Sequence, residues 1–479
     1  MDPPAAPRGA SLRGLADFAR LAPVSAVLLR DIAVLLTFDD DDRELRDTDL
    51  RVAGGRIAEI GDLQPQDGET VIDASRLLVM PGLINAHQHL YQVGLRCVPE
   101  LERVLLDDWL IGLGRVCMDW WRDGHFTPEA IATMARAGMV ESLLCGITTV
   151  ADQHYFFPGG VTAPYIEATI EAAQEVGIRL NAGRGTMTYA RSDGGEAPDV
   201  ACQSVDEVLR HSLELIDNCH DPDPLARIRI DLAPCGPHVD RLELFAAFAE
   251  IAAENPGVGL HTHLYEGVDT QFCRRRYGKS PWQVLGQAGW HDDKVWLAHM
   301  VDCPRGEIPD YASTGVGIVH LVAPDLRMGF RPAPVRWWLD GGCTVGFGTT
   351  GSASNDGGNQ MGDMRLAALA HRQHSPDPER WLSARDLLAM STRGSARCLS
   401  RPALGTITPG AGADIAAWDI TTVDRVGVHD PVIGLLLTGL SDRADLVIAA
   451  GEVVVRDGRC VSVDEDEVAA AARTTLPPP

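Results

Sequence analysis

His87 and His89 stand two apart in PGLINAHQHLYQ, and a second pair with the same spacing, His261 and His263, follows in HTHLYE. Successive side chains of a strand point to opposite faces, so each H-x-H pair puts both imidazoles on one side. Neutral imidazoles that converge on one point suit a zinc ion. A single such pair is equally well explained as ordinary polar residues at a turn. Two pairs, with His154, His299 and His320 each near the end of a further apolar run, are much harder to ascribe to packing. Glu266 stands three residues past His263, where a carboxyl just beyond a strand end can reach a bound substrate; by itself it would read as a solvated loop glutamate.

The runs that carry these residues are short, apolar and separated by stretches with helical periodicity. Eight are found between residues 83 and 397: LINAHQH, ITTVADQH, IRLNAGRG, RIRIDLAPC, VGLHTHLYE, VWLAHM, VGIVHLVAP and TVGFGTTGS. That alternation predicts a (β/α)8 barrel of the TIM type, with polar residues at the C-terminal strand ends where barrel enzymes place their chemistry. Outside it, residues 26–82 and 398–465 show β-branched runs broken by turn residues, and they predict one small β-sandwich domain built from both chain ends. The first of these segments reads as antiparallel. In the second, ADLVIAAGEVVVRDGRCV reads as a hairpin about Ala450-Gly451. Residues 1–25 read as an extension and 466–479 as a loose tail.

Composition excludes other classes of function. Lys plus Arg number 42 against 67 Asp plus Glu, for a formal charge of −25, so no basic surface is available for nucleic acid or an anionic membrane. No apolar stretch approaches a membrane span and the N-terminus lacks a signal-peptide pattern, so a cytoplasmic protein is expected. Eleven cysteines without a C-x-x-C pair indicate neither a disulfide framework nor a thiolate zinc site. The chain has two lysines, Lys279 and Lys294, and neither lies in the fourth run.

The stretches PGLINAHQH, ESLLCGITTVADQH, HTHLYE, WLAH, HLVAPDLRMG and GFGTTGSASNDGGN resemble the amidohydrolase superfamily, in the branch containing 8-oxoguanine deaminase and the s-triazine hydrolases, the latter being the nearer likeness. The resemblance runs from about residue 30 to the C-terminus. It implies a single zinc ion per chain held by His87, His89 and His263, with Glu266 protonating a ring nitrogen and His299 holding the attacking water. It also implies a homodimer. His261 is not a usual ligand in that family and is expected to pack or to support a ligand. His154 and His320 could touch substrate or serve structure. Where most of the superfamily ends the eighth strand with a metal-binding aspartate, this chain has Thr350, as the triazine hydrolases do; the strand-four lysine of binuclear members is also missing.

These departures bear on the leaving group. Zinc lowers the pKa of bound water from ~15.7 to ~7, so zinc-bound hydroxide forms without a strong base. Threonine has no accessible pKa and cannot relay the water's proton to a departing amine. Chloride needs no such proton; it needs an electron-poor ring, which Glu266 can provide. The leading expectation is therefore a mononuclear zinc hydrolase that displaces chloride or a similar group from a small N-heteroaromatic substrate such as an s-triazine. A deaminase of an amino-substituted purine, pterin or triazine is the second reading, and a catalytically weakened ligand-binding protein the third. Trp109, Trp120, Trp121, Phe156 and Phe157 are candidates to stack on a flat ring, and Asp356 is expected to cap a helix or sit in a loop rather than replace the lost carboxylate.

Overall fold

The computed structural model describes residues 26–438 and 443–475. Its centre is a sheet of eight parallel strands in sequential order, Leu83–Gln88, Ile147–His154, Arg179–Thr186, Ile228–Pro234, Gly259–Leu264, Val295–His299, Gly317–His320 and Thr344–Phe347. Nearly every residue of these strands is buried, because helices cover one face and the barrel interior the other. The sheet closes into the expected (β/α)8 barrel through its last and first strands. Thr350 N–H donates to the His87 carbonyl at 2.9 Å, and Thr349 N–H donates to Asn85 Oδ1 at 3.1 Å. Gly351 permits this approach, since a Cβ there would lie 1.9 Å from Gln92 Oε1.

Two further sheets face each other across a shared apolar core that includes Leu29, Val52, Val79, Ile415 and Ile448. One has four strands, all from residues 27–73. The other has seven and joins the chain ends, with Leu77–Pro81 between Val34–Leu36 and Ile415–Asp419. The N-terminal segment is not purely antiparallel as expected: Val27–Ile32 pairs parallel with Thr70–Asp73, and Val34–Leu36 parallel with Leu77–Pro81. These pairings join strands distant in sequence, which local turn signals cannot reveal. The hairpin at residues 450–451 forms between Leu446–Ala449 and Glu452–Arg456, with Ala450 at φ 52° and Gly451 at φ 84°, the positive angles of a tight hairpin turn. A buried ion pair, Arg179 to Asp414 at 2.9 Å, ties the third barrel strand to the segment entering the seven-stranded sheet.

The expected loose tail is corrected from its first residues. Glu465–Thr475 is a helix whose first turn is acidic and whose Val468 is buried. It packs on the helix Pro128–Leu144. Acidic residues at a helix N-terminus and an alanine run both favour this state. Residues 1–25 and 476–479, read as extension and tail end, lie outside the described residues. No described helix is long and apolar enough to cross a membrane.

Candidate active site

The C-terminal ends of barrel strands one, five, six and eight meet at one small cavity. His87 lies in the first strand and His89 just past it, while His261 and His263 lie in the fifth. One ring nitrogen from each of His87, His89 and His263 lies within 4.8 Å of the others, and among the described residues this is the one group of three or more His, Cys, Asp or Glu side chains so placed.

Hydrogen bonds fix the tautomers of these rings. His89 Nδ1 is 2.8 Å from the Gln153 carbonyl and His263 Nδ1 is 2.7 Å from the Cys235 carbonyl. A carbonyl only accepts, so both Nδ1 atoms donate and both Nε2 atoms carry bare lone pairs. His261 likewise donates from Nδ1 to the Trp296 carbonyl at 2.8 Å, so its Nε2 accepts from His87 Nδ1 at 2.7 Å. That leaves His87 Nε2 as a third bare lone pair, buried and without a hydrogen-bond partner. The Nε2 atoms of His89 and His263 face each other at 3.3 Å with no proton to share. Burial, reinforced by the neighbouring rings, holds His87 and His263 well below the ordinary histidine range, and burial brings His89 and His261 down to about 3. Three neutral imidazole nitrogens that lack a donor are the ligand set a zinc ion takes. His261 orients His87 from behind.

His299 closes the sixth strand. Its Nδ1 donates to Asp325 Oδ1 at 2.7 Å, and its Nε2 lies 3.5 Å from Glu266 Oε1. Burial opposes charge on this ring, but the Glu266 and Asp325 carboxylates outweigh it and push His299 up to about 9. Burial raises Glu266 as well, with the charge of His299 acting against it. The two therefore form a buried pair with a movable proton.

Thr350 lies just beyond the eighth strand, 2% exposed, on the cavity wall. The backbone here is held in an uncommon shape: Tyr265, His299, Met300 and Thr350 have φ of 59°, 73°, 56° and 56°. Such left-handed non-glycine residues cost roughly 1–3 kcal/mol each and persist where the surroundings dictate them. Asp269 supplies one such constraint, accepting from the N–H groups of Tyr265 at 2.7 Å and Glu266 at 2.9 Å.

The remaining candidates separate. Trp109 lines the cavity and Phe156 lines a larger adjoining one, whereas Trp120, Trp121 and Phe157 line neither. Phe157 stacks under the Arg184 guanidinium at 4.3 Å. His154 bonds the Phe156 carbonyl at 3.1 Å, and His320 Nε2 lies 2.9 Å from His371 Nε2; both are buried away from the cavity and serve packing. Asp356 ends the short helix Ser352–Asn355 at φ 62°, accepts from Cys97 N–H at 2.8 Å and pairs with Arg327 at 2.7 Å. The helix that follows is capped by Asn359 instead. The sequence reading did not single out Asp325 or His238. Asp325 is a carboxylate in the apolar run HLVAPDL, a signal that was visible; His238 lines the cavity with Nδ1 buried and unpartnered, and burial brings it down to about 4.

Residues 78–455 match the amidohydrolase family. The chain is 36% identical over 419 residues to 8-oxoguanine deaminase of Pseudomonas aeruginosa, covering 87% of this chain and 91% of that one. It is 32% identical over 460 residues to hydroxydechloroatrazine ethylaminohydrolase of Pseudomonas sp. strain ADP, covering 91% and 92%. Among solved structures it superposes on the atrazine chlorohydrolase TrzN from Arthrobacter aurescens TC1 complexed with zinc, with a TM-score of 0.93 and 52% identity, over 94% of this chain and 100% of that one.

Proposed function

Because this chain belongs to the amidohydrolase family, we propose that it is a mononuclear zinc hydrolase that displaces chloride or a similar leaving group from an N-heteroaromatic ring such as an s-triazine. The observation that carries the leaving-group choice is Thr350, buried on the cavity wall where a proton-relaying carboxylate would serve amine release. His87, His89 and His263 would hold the ion through their bare Nε2 atoms. When bound, zinc supplies the Lewis acidity that brings the pKa of water towards ~7.

The chain's own residues account for the rest. One proton is shared across the 3.5 Å between Glu266 and His299, which Asp325 fixes; held by Glu266, it is donated to a ring nitrogen and draws electron density from the carbon under attack, while His299 orients the incoming water. The Thr350 hydroxyl offers a hydrogen bond but no base. Chloride departs without needing a proton.

Deamination is the second reading, favoured by the likeness to 8-oxoguanine deaminase and by the proton held between Glu266 and His299. Incubating the zinc-loaded protein with matched chloro, alkylthio and amino heterocycles, and measuring chloride, thiol and ammonia separately, tests both. Chloride released fastest is the expected result; ammonia released fastest transfers the conclusion to deamination. Family likeness is also the ground for proposing a homodimer, to be checked by sedimentation; a cytoplasmic location, expected from the sequence, is to be checked by cell fractionation.

A further inference from the structure

Beside the reaction cavity of about 50 Å³ lies a second of about 510 Å³, and the two share walls at Leu110, Tyr155, Cys235, His238 and Val268. Sites that enclose drug-sized ligands run to ~300–1,000 Å³. The metal-facing cavity thus has room for the reacting edge of a ring and little more, so the bulk of a substrate must lie in the larger space. The walls there are chemically one-sided. Leu113, Cys117, Phe156 and Val239 form a buried apolar floor. Charge is confined to the rim, where Arg275 is already paired with Glu196 at 2.6 Å and Arg191 Nε donates to the Glu196 carbonyl at 3.1 Å.

We propose that this second cavity receives an uncharged apolar substituent of the heteroaromatic substrate, of aryl, aralkyl or cycloalkyl size. An ethyl or isopropyl arm would touch little of the apolar floor, whereas a ring-sized group can lie against it with room to spare. The substrate class is then a halogenated or similarly activated N-heterocycle bearing one large hydrophobic group. The proposal rests on the reaction proposed above for the identity of the ring, but the position of the substituent follows from the cavity alone.

Gly114 makes the test clean. It lines the cavity on the helix Leu106–Arg122, and a Cβ added there meets nothing within 4 Å. A larger side chain at this point enters open space, and replacing glycine inside a helix favours the fold. The substrates are chloro-s-triazines that differ in one N-substituent, ethyl, cyclohexyl or benzyl, and the readout is kcat/KM for chloride release. Affinities of the unreactive hydroxy counterparts for the zinc-loaded protein are measured beside them by calorimetry. In the parent protein the benzyl compound is expected to exceed the ethyl compound by about tenfold or more on both scales, as apolar pockets discriminate by roughly 10–200-fold per methylene. Gly114→Phe should lower the benzyl-to-ethyl ratio by about tenfold, and Gly114→Leu by less. A flat series in the parent, or a ratio that Gly114→Phe leaves unchanged, overturns the assignment. If no chloride is released while the hydroxy series still binds in order of size and Gly114→Phe abolishes that order, the reaction is wrong and the cavity assignment stands.

Discussion

Glu266→Gln removes a charge and a deliverable proton while keeping the shape of the side chain and the two backbone N–H bonds that Asp269 accepts around it. Two quantities should respond. Positioned general acids contribute ~10²–10⁴-fold, or about 2.7–5.4 kcal/mol at 1.36 kcal/mol per tenfold. His299 is the second reporter. Burial opposes the charged ring, and the Glu266 charge together with the hydrogen bond and charge of Asp325 raise it from 6.5 to about 9. That gap corresponds to roughly 3 kcal/mol in favour of the charged ring. Because the folded value is raised, this stabilisation is fully present below pH 6.5 and is lost as pH rises through about 9. Deleting the Glu266 charge should lower the His299 pKa and narrow the window accordingly. The assay pairs turnover of the zinc-loaded enzyme on a chloro-s-triazine with an NMR titration of His299 in zinc-free protein. Turnover within about threefold of the parent, under ~0.7 kcal/mol, would show that ring protonation comes from elsewhere. An unmoved His299 titration would break the proposed coupling between the two side chains.

Elemental analysis of the pure protein should find about one zinc per chain, and His263→Ala should lose it; two equivalents, or full retention in the variant, would remove the proposed site. Thr350→Asp should raise the amino-to-chloro ratio of kcat/KM for a matched pair of rings, since a carboxylate can relay the proton an amine needs, and an unchanged ratio would sever this threonine from leaving-group choice. Acid should destabilise the fold steeply. Burial depresses His154 to about 3 and His238 to about 4, so stability present above pH 6.5 is lost as pH falls towards those values, and a urea midpoint that stays level between pH 6.5 and 4 would contradict this.

Much of the site was legible because its spacing encodes geometry. His87 and His89 two apart on a strand must share a face, and Thr350 stands where an apolar strand meets a glycine-rich turn. The choice between His261 and His263 was not readable from spacing, since it depends on which ring meets the Trp296 carbonyl and which the Cys235 carbonyl. Asp325 stands out as a carboxylate in an apolar run, but the partner it serves was not readable. It follows the seventh strand yet serves His299 of the sixth, and only the parallel pairing of Val295–His299 with Gly317–His320 brings them together. Among the outer strands, the parallel pairings of Val27–Ile32 and Val34–Leu36 are long-range and left no local pattern. The C-terminal helix was misjudged because its proline-rich end outweighed the capping and alanine signals before it.

The sheet that joins the two chain ends sets a timetable for biosynthesis. Leu77–Pro81 acquires its antiparallel neighbour, Ile415–Asp419, only after the entire barrel has left the ribosome. At ~5–20 residues per second the nascent chain spends on the order of tens of seconds with this edge unpaired. Its buried side chains, Leu78 and Met80 on one face and Val79 on the other, meanwhile lack this neighbour's cover against solvent and other nascent chains. Yield of intact protein should therefore respond to translation speed, temperature and chaperone supply more than to any single contact in the finished barrel.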